Sequence, residues 1–143
     1  MTATFFVDAN VVVYTATVGR YHESCSTLLD AIADGKAEGR MSTAVLEEIW
    51  HLELSGKAGL LAGLAASAYA AFTPLLPVTD ETVELALCLD ARPLGANDRI
   101  HLATCRQHSI DTIVTADVDF NGVPGIHRVD PLDRRALSEL LGS

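Results

Sequence analysis

Two short apolar runs, each followed by an aspartate, constrain this chain most. Thr4-Phe5-Phe6-Val7 leads directly into Asp8, and Asp111-Thr112-Ile113-Val114-Thr115 ends at Ala116-Asp117. Short runs rich in β-branched and aromatic residues, with polar residues closing them, read as strands buried on both faces. The segments between them have helical spacing. Apolar residues fall at Cys25, Leu28, Leu29 and Ile32 within Ser24 to Ala33, and at Val45, Ile49 and Leu52 within Ala44 to Leu54. Buried strands alternating with helices predict an α/β fold whose sheet is mostly parallel and covered on both sides.

The remaining segments fill in that plan. Asp8-Ala9-Asn10 reads as a polar turn. Gly39-Arg40-Met41 predicts a short strand, with Ser42-Thr43 as a helix cap. Gly59 to Phe72 is apolar almost all round, which predicts a helix packed on two sides. Leu75-Leu76-Pro77-Val78 reads as a strand or its approach, with Pro77 tolerated only near a strand start or at an edge. Thr79-Asp80 caps a helix running through Leu89, its acidic first turn suited to the helix dipole. Gly95-Ala96-Asn97 leads into a helix from Asp98 to His108, Ile126 to Val129 forms a late strand, and Pro131 to Leu141 a final helix. There is no internal repeat and no linker, so residues 1–143 are expected to form a single domain.

The chain has 10 basic and 19 acidic residues, a net charge of −9. A protein that holds nucleic acid by phosphate neutralisation alone should be basic, so the balance excludes a simple nucleic-acid coat. An enzyme whose bound cations supply the positive charge is compatible with it. The amino terminus lacks the positive flank of a secretory signal, and no run has the length and composition of a membrane span. Cys25, Cys88 and Cys105 are scattered and have no zinc-ligand spacing, which predicts reduced thiols and a cytoplasmic setting.

Four acids stand out by position. Asp8 and Asp117 follow buried strands, and in an open parallel sheet ligands bind beyond the carboxyl ends of the strands. Asp98 starts a helix beside a loop. Glu48 falls on the face shared by Val45, Ile49 and Leu52, a poor place for an unpaired carboxylate. Singly, each acid has a structural reading, such as a turn, a cap or a buried ion pair. Together they point to a hard divalent cation, because carboxylates within ~4 Å of one another repel by ~1–4 kcal/mol per pair unless something compensates. His101 lies one turn beyond Asp98, but a helical histidine beside Leu102 and Ala103 reads first as a packed, hydrogen-bonded residue. The other histidines make no ligand spacing, and there is no phosphate-binding loop motif.

Four segments carry a resemblance: FFVDANVVVY at the start, STAVLEEIWHL in the first third, then NDRIHLATC and IVTADVDF. In their order and spacing the chain resembles a PIN domain, and within that group the VapC-type ribonuclease toxins of bacterial toxin–antitoxin pairs. The resemblance implies a three-layer α/β/α sandwich with a central, mostly parallel sheet of four or five strands. It implies a Mg²⁺- or Mn²⁺-dependent endoribonuclease in which Asp8, Glu48, Asp98 and Asp117 are both metal ligands and catalytic residues. Asn10, Thr115 and Asp119 would support them from behind. It further implies a VapB-like antitoxin, a homodimer, and RNA (transfer, ribosomal or messenger) as substrate. Arg20, Arg92 and Arg99, at loop or helix-start positions, are the candidates for RNA contact. Two departures from the family stand out: Arg99 replaces a more usual alanine, and the chain is unusually acidic.

Two other readings remain open at this level. A phosphoryl-transfer domain also places strand-end aspartates around Mg²⁺, but it needs a late lysine, and none follows Lys57. A catalytically silent interaction module could keep the fold, although all four acids are retained. For the antitoxin or dimer contact that the resemblance implies, the uncharged 58–72 segment and Trp50 are candidates for apolar surface, and a buried core helix explains the segment about as well.

Overall fold

The structure is a computed structural model and describes residues 3–57, 59 and 61–142. Four strands, β1 (Thr4–Val7), β2 (Glu38–Arg40), β3 (Thr112–Val114) and β4 (His127–Val129), form one sheet in the order β2-β1-β3-β4. Every pairing is parallel, with Phe5 opposite Gly39, Phe6 opposite Ile113 and Ile113 opposite Arg128. Phe5, Phe6, Val7, Ile113 and Val114 are buried, as a sheet covered on both faces requires.

Around the sheet lie α1 (Ala9–Tyr14), α2 (His22–Ala33), α3 (Thr43–Ser55), α4 (Leu64–Phe72), α5 (Asp80–Leu87), α6 (Ala96–Gln107) and α7 (Arg134–Leu140). The step from β1 to β2 runs toward one sheet edge and the return from β2 to β3 passes to the other side of β1. Right-handed crossovers therefore put their helices on opposite faces, giving the α/β/α sandwich expected from the sequence. The same reversal creates a switch point between the carboxyl ends of β1 and β3, where such sheets form a crevice.

Local chemistry explains several helix boundaries. Ser42 caps α3 by accepting from the Val45 amide at 3.2 Å, and Gly56 ends it in the left-handed conformation at φ 66°. Thr79 and Thr82 form a capping box for α5. Gly39 lets α2 lie close on the sheet: a Cβ there would come 2.5 Å from Ile32 Cδ1 and 3.2 Å from the Phe5 ring.

Several expectations are corrected. Asp8-Ala9-Asn10 is no turn: Asp8 caps α1, which begins at Ala9 and carries the Val11–Val13 run, and burial of all three valines outweighs their weak helix preference. The helix expected from Gly59 begins at Leu64, after Gly63 at φ 81°, and it buries Ala68 and Phe72 while Tyr69 is 50% exposed, so it is not packed on two sides. Ala58 and Leu60, also assigned to that run, lie outside the described residues. Glu53 accepts from the Ala65 amide at 2.8 Å and so ties α3 to the start of α4. Leu75–Val78 forms no strand. Leu76 alone bridges to Ser42, donating to the Met41 carbonyl and accepting from the Thr43 amide at 2.9 Å each, between Pro74 and Pro77 that have no N–H to continue the ladder. The late helix starts at Arg134 rather than Pro131, with Asp133 as its cap.

Candidate metal centre

The crevice at the switch point collects the acids. Asp8 leaves the end of β1 and serves as the α1 cap, so its carboxylate is fixed by its own backbone: Oδ1 accepts from the Ala9 amide at 2.8 Å. Its Oδ2 accepts from the Thr115 hydroxyl at 2.8 Å and from Asn10 Nδ2 at 3.5 Å. Thr115 Oγ1 in turn accepts from Asn10 Nδ2 at 3.0 Å and from the Asp117 amide at 3.1 Å, while Asn10 Oδ1 accepts from the Ala116 amide at 3.2 Å. Asn10 and Thr115 thus lock the end of β1 to the loop after β3.

Asp117 caps a 3-10 turn (Val118–Phe120) by accepting from the Asp119 amide at 2.9 Å. Glu48 reaches in from α3 with its side chain 30% exposed, and Asp98 from the first turn of α6. Asp8, Glu48, Asp98 and Asp117 line one cavity of about 310 Å³, together with Asn10, Tyr14 and Leu52. The structure therefore brings together all four acids singled out in the sequence. Asp119 is exposed and is not among the lining residues.

The electrostatics show the strain of this grouping. Burial pushes the Asp8 carboxyl above its usual range, with the Glu48 charge adding to it, although His101, the Thr115 hydroxyl and the Ala9 amide oppose the rise. Asp98 is pushed up to about 6, first by burial and then by the charges of Asp8, Asp117 and Glu48, against the pull of His101. For His101, burial works to lower the pKa, but the hydrogen bond to Glu48 and the charges of Asp8, Glu48 and Asp98 outweigh it, so the ring is held above its ordinary value.

His101 is the residue that the sequence undervalued. Its Nε2 lies 2.7 Å from Glu48 Oε1 and 3.8 Å from Asp8 Oδ1, and its side chain has no exposed surface. Asp8, Glu48 and His101 each offer a ligand atom within 4.8 Å of the others, a spacing that fits a divalent cation. Asn97 also contributes, its Nδ2 donating to Glu48 Oε1. The missed signal was the i, i+4 spacing of Asn97 and His101, which puts both on the stripe of α6 that faces α3.

The three candidate arginines sit differently. Arg99 is tied down, Nε donating to the Leu94 carbonyl at 2.8 Å and Nη1 to the Leu89 carbonyl at 2.9 Å, so these donors hold the loop before α6. Arg92 is 85% exposed and pairs with Asp90. Arg20 lies over the Tyr21 ring, 5.1 Å from its centroid, and Tyr21 stacks on the cavity-lining Tyr14 with centroids 4.5 Å apart. Of the three, Arg20 is the one connected to the crevice.

Comparison with known proteins agrees with this geometry. No curated protein matches the chain in sequence. Among solved structures, it is similar to a chain of a toxin–antitoxin complex from Klebsiella pneumoniae, at 21% identity and a TM-score of 0.65, covering 90% of this chain and 98% of that one. It is also similar to the Mycobacterium tuberculosis VapC20, a sarcin–ricin loop cleaving toxin, at 21% identity and a TM-score of 0.62, covering 86% and 98%. A VapBC2 structure from Rickettsia felis, bound to a DNA fragment from its promoter, matches at 16% identity and a TM-score of 0.67, covering 89% and 98%. At these identities the likeness speaks for the fold. The PIN domain family model matches residues 5–126, from β1 through the crevice to the approach of β4, and the chain belongs to that family.

Proposed function

We propose that this protein is a divalent-metal-dependent endoribonuclease of the VapC toxin kind, hydrolysing RNA phosphodiesters at the crevice. One observation carries the reading: carboxylates from four separate segments, β1, α3, α6 and the loop after β3, converge on one cavity at the switch point of the sheet. Their oxygen donors suit Mg²⁺ or Mn²⁺, and the raised pKa of Asp98 marks a site short of positive charge. Asp8, Glu48, Asp98 and Asp117 are the residues that would hold the ion. A metal held there would supply a water of lowered pKa and would offset charge on the phosphate.

The chain's own residues do the rest. Thr115 and Asn10 orient Asp8 toward the cavity. Asp98 and Asp117 complete the set of acids that line the cavity. Arg20, over the Tyr21 ring of the Tyr14–Tyr21 stack, would be the basic residue to meet an RNA phosphate beside the crevice. The structural relatives that come from toxin–antitoxin assemblies support one further part of the reading, silencing by a small VapB-like antitoxin.

The test is cleavage of total cellular RNA by purified protein, with Mn²⁺ or Mg²⁺ and with EDTA. Discrete fragments are expected only with metal, and Asp8→Asn and Glu48→Gln proteins should lose at least about 100-fold in rate. Metal-independent fragments, or full activity in both variants, would refute it. Folded protein that neither binds metal nor cuts RNA would return the chain to the class of interaction modules.

A further inference from the structure

Glu48 is the one acid of the four whose orientation its own backbone does not explain. Asp8 caps the helix and Asp117 the 3-10 turn that follows it, and Asp98 sits in the first turn of its helix. Glu48 projects from the second turn of α3, at the edge of the buried face, on a side chain with three rotatable bonds. What holds it comes from α6. His101 Nε2 and Asn97 Nδ2 both meet the same oxygen, Oε1. Among the described residues no hydrogen bond engages Oε2.

The bonding of His101 argues against a purely structural role. A histidine kept for packing satisfies both ring nitrogens when it is fully buried. Here Nδ1 is buried without a hydrogen-bond partner, and the ring lies against Phe6 with centroids 5.6 Å apart. The polar contacts of the whole side chain are therefore directed at carboxylates of the crevice. A buried, half-satisfied imidazole costs stability, and its contact with Glu48 is what it provides in return.

We infer that His101 is a positioning residue of the candidate centre: with Asn97, one turn earlier on the same stripe of α6, it clamps the Glu48 carboxylate through Oε1 and leaves Oε2 as the oxygen presented to the cation. The inference rests on the metal-site reading and adds to it a division of labour between the two oxygens. It also gives α6 two tasks. Asp98 lines the cavity itself, while Asn97 and His101 hold the Glu48 carboxylate of a neighbouring helix.

The experiment is a Mn²⁺ titration of the purified full-length chain, without RNA, followed by the loss of the free-ion electron paramagnetic resonance signal. His101→Leu is expected to weaken Mn²⁺ binding by about 10–100-fold, as removal of outer hydrogen bonds to metal ligands does. His101→Gln keeps an N–H donor near the Nε2 position and should recover most of that loss. Asn97→Ala, at an exposed position that leaves folding intact, should fall between wild type and His101→Leu. Pulsed measurements on the wild-type complex should show no ¹⁴N coupling of a directly bound imidazole. Wild-type affinity in His101→Leu overturns the inference, as does unchanged affinity in Asn97→Ala should His101→Leu fail to fold. A ¹⁴N coupling lost in His101→Gln overturns it by making His101 a ligand. Failure of the wild-type chain itself to bind Mn²⁺ is a separate outcome, which removes the metal-site reading and the inference with it.

Discussion

Asp8, Asp98 and His101 share the crevice, and their pKa directions agree in what they demand of the folded state. Burial and neighbouring carboxylates raise both acids, and the carboxylates raise His101 despite its burial. For Asp98 the folded value is about 6 against 3.8 for the free group. The folded state thus binds more protons than the unfolded state between those values, so its stability falls as pH rises through that window. Below pH ~4 both states are protonated and Asp98 contributes nothing. His101, raised above 6.5, stabilises the fold while charged and loses that contribution as pH rises past its folded value. Asp98→Asn should therefore stabilise the metal-free protein at pH 7 by on the order of 1–2 kcal/mol, discounted for partial exposure, with the difference vanishing near pH 4. Urea denaturation at the two pH values with EDTA present measures this, and an equal or destabilising effect at pH 7 would contradict the electrostatic account. Thr115→Val tests the opposite kind of residue. It keeps the shape but removes the oxygen that serves Asp8, Asn10 and the Asp117 amide, so a loss of about 1–3 kcal/mol is expected at every pH.

Among the elements, β2 and α2 show how closely the layers are drawn together. Gly39 lies under Ile32 and beside Phe5, and its own backbone is ordinary, so what it provides is space rather than an unusual dihedral angle. Gly39→Val should cost about 1–3 kcal/mol by overpacking, even though valine favours strands. Gly39→Val combined with Ile32→Ala should recover part of the loss. A thermal melt of the two variants checks this, and failure of the double variant to recover would mean that the backbones, not the side chains, set the spacing. The same local logic explains what was legible in the sequence. β1, β3 and the α3 and α5 caps announce themselves through β-branched runs, Ser42 and Thr79, because those signals act within a few residues. α1 was hidden because Val11–Val13 favours strands locally and becomes helical only through tertiary burial. The Leu75–Val78 stretch looked like a strand because hydrophobicity says nothing about the ladder donors that Pro74 and Pro77 lack. The four acids were legible because each stands at a strand end, a helix start or on a core-facing stripe. His101 was not, since its partner Glu48 is 53 residues away and only the packing of α6 on α3 joins them.

At the scale of the whole molecule, the unusual quantity is the net charge of −9 on a protein proposed to act on a polyanion. Long-range repulsion should slow RNA encounter at low ionic strength, and added monovalent salt screens it within a Debye length of about 10 Å at 0.1 M. A basic nuclease that grips many phosphates behaves in the opposite way, losing affinity steeply with salt as counterions are released. Two of the three candidate arginines are engaged elsewhere, Arg99 with carbonyls and Arg92 with Asp90, which leaves few phosphate contacts to lose. A cation held by the four acids would make the crevice less negative than its surround. We therefore expect kcat/KM for RNA, at saturating Mn²⁺, to rise or stay level as KCl goes from about 20 to about 100 mM. Arg20→Ala should lower kcat/KM at every salt concentration without changing Mn²⁺ affinity, because Arg20 lies over Tyr21, which stacks on the cavity-lining Tyr14, and is not among the acids. A fall in kcat/KM with the slope of several released counterions would mean that another basic surface, assembled in a dimer or by a partner, grips the RNA.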